Sequence, residues 1–211
     1  MTTPEAFDER KARQQFVRDR QKIVFTVAIG ALAIVLVISF LVYFGVLGKT
    51  ETSANSVQPN YGVTAPCPTA AEGTTAKAVN PSIINVRVLN GTDKVGLADA
   101  VSEALTNRGF VSKGVSNYPG TVTIKRTEIR FGKNTINEAY TLAGQFNDAI
   151  LRMDDREDKL IDVVIGSTFS DLVDEDQIST KTDADLKSVE GCKAADQLGD
   201  LPKAVDHEAV N

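Results

Sequence analysis

The chain holds a single histidine and two cysteines in 211 residues. That scarcity excludes much chemistry. His207 lies near a polar C-terminus and reads as a solvated side chain. No Ser-His-Asp set, Cys-His pair or phosphate-cradling glycine loop can be assembled. A metal site is not expected either, because Cys67 and Cys192 are far apart and histidine ligands are lacking. Asp154, Asp155, Glu157 and Asp158 are clustered, but Arg156 and Lys159 interrupt them and the spacing of a calcium loop is missing. No cofactor is expected, and no internal repeat is visible. No basic patch stands out beyond the first residues, which disfavours a nucleic-acid partner.

One abundance sets the organisation. Ile23 to Leu47 is a run of 25 residues without a charge. A helix needs about 20 apolar residues to cross a bilayer. The run is longer than a signal-peptide core, and Gly48-Lys49-Thr50-Glu51-Thr52 offers no cleavage pattern. It predicts a single uncleaved span. Arg10, Lys11, Arg13, Arg18, Arg20 and Lys22 precede it, and only Lys49 follows closely. Positive residues stay inside, so residues 1–22 are a cytoplasmic arm and the C-terminal region is extracytoplasmic. Asp8, Glu9 and Asp19 make that arm a mixed-charge segment.

Residues 48–82 hold four of the seven prolines, Pro59, Pro66, Pro68 and Pro81. This stretch predicts an extended linker that holds the domain off the bilayer. Residues 83–169 carry 11 basic and 11 acidic side chains, and residues 170–211 carry 4 and 11. The acidic excess therefore belongs to the tail, which reads as mostly loose with a short helix near Asp183 to Val189.

Within 83–169 the periods alternate. Ile84, Val86 and Val88 alternate with Asn85, Arg87 and Leu89, as in a strand. Val95 to Arg108 has helical period, with Leu97, Val101, Ala104 and Leu105 on one face and Ser102 on the other. Gly109 ends it. Phe110 to Val115 is a short strand and Thr121 to Phe131 a third. A helix is predicted from Ile136 to Met153, with Ile136, Ala139, Ala143, Phe146 and Ile150 buried. Asp154 to Lys159 reads as a charged loop, and Leu160 to Ile165 as the last strand. The order β-α-β-β-α-β predicts an α+β, ferredoxin-like split βαβ domain on a single transmembrane anchor.

Several segments resemble the LytR C-terminal domain family. They are the first strand with Asn90-Gly91-Thr92 and Gly96-Leu97-Ala98, then Arg108-Gly109-Phe110 at the helix end. Thr127-Glu128-Ile129-Arg130-Phe131-Gly132 and Val163-Val164-Ile165-Gly166-Ser167-Thr168-Phe169 complete the set. Thr168 departs from the acidic residue that many members carry there. In larger members the domain follows a catalytic domain that transfers glycopolymers to peptidoglycan, and this chain has no room for one. The resemblance implies a non-enzymatic membrane protein that supports cell-envelope integrity by binding cell-wall glycopolymer or envelope biosynthesis proteins. A second class is an accessory subunit that modulates a glycopolymer transferase in trans. A third, a hydrolase, lacks a candidate acid–base pair.

Candidate ligand contacts are the turn Asn90, Gly91 and Thr92 and the exit of the last strand, Gly166, Ser167 and Thr168. The plainer reading makes the first a strand-to-helix turn and the second a strand terminus. Cys67 and Cys192 lie on the oxidising side and flank the domain, which predicts a disulfide. The alternative is a free Cys67, or one that bridges two chains.

Overall fold

The computed structural model describes residues 24–37, 39, 59–119 and 123–211. The chain divides into two units, Met1–Ser56 and Val57–Asn211. In the first, residues 24–37 and 39 are helical. Val24, Phe25, Val27, Ile29, Leu32 and Ile34 all stand exposed on that helix. Among the described residues no helix is long and apolar enough to cross a membrane. The expected span 23–47 lies only partly within the described residues, and the arm 1–22 lies wholly outside them.

The second unit is built on one mixed sheet of five strands. In chain order it runs β1 (Asn85–Asn90), α1 (Leu97–Asn107), β2 (Val111–Asn117), β3 (Glu128–Phe131), α2 (Ile136–Ala143), β4 (Ile150–Met153) and β5 (Leu160–Ile165). The strand order is β2-β1-β5-β3-β4. β1 is parallel to both β2 and β5, β3 is parallel to β4, and β3 is antiparallel to β5.

The fold is α+β, as expected, but it is not the split βαβ. In that arrangement a strand lies between the two that a helix connects. Here β1 and β2 are direct neighbours joined through α1. The added strand is β4. The predicted helix to Met153 stops at Ala143, because Gly144, Asn147 and Asp148 are poor helix residues. Ile150-Leu151-Arg152-Met153 then pairs with β3 from Glu128↔Ile150 to Phe131↔Met153.

The main core lies on one side of the sheet. Val88, Val163, Ile129 and Leu151 form a cross-strand row over β1, β5, β3 and β4. Ala98, Val101 and Leu105 of α1 and Ile136, Ala139 and Leu142 of α2 join the same cluster. Leu97 and Ala104 only pack at its border. Ser102, expected on the outer face of α1, is buried instead, and its Oγ is 3.0 Å from Ser112 Oγ on β2.

The linker and tail expectations are also corrected. Ala65, Ala76 and Ala78 are buried, so the chain from residue 59 onward packs on the domain. The tail has no helix at Asp183 to Val189, yet it is tied down along its length. Ala78 N–H donates to Ala184 O at 2.8 Å, Leu186 N–H to Ala76 O at 2.8 Å, and Lys193 N–H to Ala65 O at 3.1 Å. Leu172 and Leu186 are buried. Cys67 and Cys192 are joined as predicted, with Cα atoms 5.0 Å apart.

Candidate functional site

β1 ends at Asn90, and its turn is built by side chains. Asn90 Oδ1 accepts from Thr92 N–H at 3.0 Å and from Thr92 Oγ1 at 2.8 Å. Asn90 Nδ2 donates to Lys94 O at 2.8 Å, and Thr92 Oγ1 accepts from Lys94 N–H at 3.1 Å. This is the local side-chain turn that Asn and Thr favour. α1 then starts from Gly96, whose φ of 77° suits glycine, and no side chain caps the helix.

Between this turn, the first turn of α1 and the end of β2 lies an open groove of about 530 Å³. Asn90, Thr92, Asp93, Asp99, Ser116 and Asn117 supply its polar lining, and Val95, Ala98 and Val115 its apolar part. The carboxyl ends of parallel strands beside a helix start are the usual place for a ligand in such sheets. Two carboxylates, two amides and two hydroxyls suit a hydroxyl-rich or cationic group and repel an anion.

Only Asn90 and Thr92 of the six candidate contacts line this groove. Gly91 is buried beneath residue 124. A Cβ on Gly91 would lie 2.6 Å from Ile165 O and 2.9 Å from the Ile124 side chain, so glycine is required there for close approach. Gly91 N–H donates to Ile165 O at 3.0 Å, and Ile124 N–H to Gly91 O at 2.9 Å. Gly166, Ser167 and Thr168 meet residues 124–127 and not the groove. Ser167 N–H donates to Ile124 O and Thr168 N–H to Lys125 O. Thr168 Oγ1 donates to Asp148 Oδ2 at 2.6 Å, an acceptor also used by Thr127. The strand exit is thus engaged within the chain.

No motif in the sequence marks Asp93, Asp99, Ser116 or Asn117. The available signal was topological: once β2 is placed parallel beside β1, both strand ends and the helix start converge.

The charged segment after β4 is a loop, as expected, but two of its residues, Asp154 and Arg156, are buried in an ion network with Asp162 of β5. Arg156 Nη2 is 2.7 Å from Asp154 Oδ2 and 2.9 Å from Asp162 Oδ2, and all three side chains are almost fully buried. Burial works to lower the Arg156 pKa, but bonding to Asp154 and the charges of Asp162 and Asp154 outweigh it and raise the value. His207 also differs from expectation. It is part-buried, with Nε2 3.1 Å from Asp158 Oδ2 and Nδ1 2.7 Å from Val205 O. Val210 N–H donates to the same Asp158 oxygen at 2.8 Å, which fastens the C-terminus.

The comparison with curated proteins gives no match. Among solved structures, the soluble domain of a conserved hypothetical secreted protein from Mycobacterium marinum is 28% identical. The match covers 48% of this chain and 71% of that one, with a TM-score of 0.46. Residues 83–169 match the family model described as LytR cell envelope-related transcriptional attenuator, the boundaries within which β1 to β5 lie. Residues 83–169 are therefore similar to the LytR C-terminal domain family.

Proposed function

We propose that this protein is a non-enzymatic, membrane-anchored extracytoplasmic component of the cell envelope that binds wall polymer or envelope proteins. The observation that carries the reading is the family match over residues 83–169. The 25-residue uncharged run and the basic residues before it support a single span with the N-terminus inside. The described part of that run is a helix whose apolar side chains are uncovered by protein. The Cys67–Cys192 disulfide suits an oxidising compartment. The layout of basic arm, span, Pro-containing segment with a cysteine, and lone domain resembles the actinobacterial envelope integrity protein Cei.

The groove at the ends of β1 and β2 is the place proposed for a glycan. Neutral sugar hydroxyls can donate to Asp93 and Asp99 and accept from Asn90 and Asn117. The test is crosslinked capture of residues 48–211 from intact cells, read for polymer and protein together. Wall polymer retained by the wild type and lost with Asp99→Asn supports the reading. Retention of neither polymer nor envelope protein refutes it.

A further inference from the structure

The sheet face opposite the main core has its own pattern. Arg87, Asp162, Arg130 and Arg152 form one cross-strand row over β1, β5, β3 and β4. Arg130 and Arg152 stand directly opposite each other, and like charges at such positions repel. The acids nearby are already shared. Asp162 binds Arg87 at 2.7 Å and Arg156 at 2.9 Å. Glu128 binds Arg130 at 2.7 Å and Arg152 at 3.2 Å.

A fourth arginine, Arg126, lies just before β3 and reaches the segment that borders β4. Asn60 pairs with Leu151, donating Nδ2–H to Leu151 O at 2.8 Å and accepting Leu151 N–H at 2.7 Å. The next residue, Tyr61, carries the Arg126 guanidinium 3.6 Å from its ring centroid. Arg126 has no ion pair among the described residues. Asn60 and Tyr61 hold left-handed backbone, with φ of 51° and 53°. That conformation is unfavourable for tyrosine, and such strain clusters at ligand sites. On the β3 side, Arg130 lies 4.9 Å from the Tyr118 ring centroid. Arg152 Nε is buried and has no hydrogen-bond partner, while 31% of its side chain remains exposed.

We propose that Arg126, Arg130 and Arg152, framed by Tyr61 and Tyr118, bind the phosphate of a soluble phosphodiester-bearing polymer. Guanidinium forks pair with phosphate oxygens bidentately. A tetrahedral phosphate receives donors from several directions, and these three arginines come from β3, β4 and the segment before β3. Its charge offsets the excess that Glu128 leaves, and the exposed part of Arg152 can meet it. This site is separate from the acidic groove and does not depend on what that groove binds.

The probe is poly(glycerol phosphate), titrated into the full chain in neutral detergent. A second arm uses phosphatidylcholine vesicles with and without phosphatidylglycerol. The soluble polymer is expected to bind, and more weakly as salt rises. Arg152→Gln and Arg126→Gln are each expected to weaken it about tenfold, the scale of one charge-assisted bond. Lys187→Gln, which removes an exposed positive charge outside both sites, leaves it unchanged. Arg126 makes no ion pair among the described residues, so its variant reports binding even if Arg152→Gln destabilises the domain. No binding at low salt overturns the proposal. So does equal binding by the wild type and both variants, or binding confined to phosphatidylglycerol vesicles.

Discussion

Removing the Cys67–Cys192 bridge, as the double Cys→Ser variant, tests how the flanks hold the domain. The bridge joins residues 125 positions apart. Chain-entropy reasoning assigns a loop of that length about 5 kcal/mol, because the cross-link restricts the unfolded chain. The flanks are ordered in the folded unit, so that restriction acts on real folding equilibria. Cys67 N–H donates to Lys193 O at 2.7 Å, and Lys193 N–H to Ala65 O at 3.1 Å. These bonds keep the ends in place in the folded variant, so the loss falls on the unfolded state. A unit of this size changes its midpoint by about 2–4 °C per kcal/mol. The expected fall is therefore about 10–20 °C, read by circular dichroism of the wild type and the variant without reductant. A fall below about 3 °C refutes the reasoning, since it places the flanks outside the cooperative unit.

Two further outcomes follow from buried groups. Arg156→Met leaves Asp154 and Asp162 buried without their shared cation and is expected to cost about 3–5 kcal/mol in chemical denaturation; a loss under about 1 kcal/mol contradicts the network. Burial raises the Tyr140 pKa above its ordinary value of 10.0, against a smaller lowering by Val189 N–H, and its hydroxyl donates to Pro66 O at 2.8 Å. A group raised on folding stabilises fully below its unfolded pKa, so stability holds to about pH 10 and falls as pH rises through the folded value. Tyrosinate absorbance should show one late step that Tyr140→Phe removes, and its persistence in that variant contradicts the assignment.

The sequence disclosed β1, α1 and β5 because period and boundary signals agree there. Val86 and Val88 alternate with Asn85 and Arg87, and Gly109 closes α1 where the 3.6-residue period ends. It misled at β4. Ile136, Ala139, Ala143, Phe146 and Ile150 continue a helical spacing across Gly144, so the pattern alone favours one long helix. What overrides it is non-local pairing of a four-residue strand with β3, which no window of sequence contains. The tail was hidden for a different reason. Its anchors are mostly backbone hydrogen bonds, such as Leu186 N–H to Ala76 O, which leave no trace in side-chain composition. Arg156 was hidden by its neighbours, since six charged residues in a row read as a solvated loop. Its burial depends on Asp162, six positions on in β5. The groove was half legible: Asn90 and Thr92 mark one wall, while Ser116 and Asn117 enter through the β1–β2 register.

The most direct measurement of the central claim is the sidedness of the chain in intact cells. A membrane-impermeant maleimide is applied to cells that carry either Glu72→Cys or Thr3→Cys. Glu72 is exposed in the folded unit, so a cysteine there meets the reagent. Labelling of Glu72→Cys in intact cells, with Thr3→Cys labelled only after lysis, is the result expected of an extracytoplasmic domain on an N-terminal anchor. The reverse pattern, or equal protection of both sites until lysis, contradicts it.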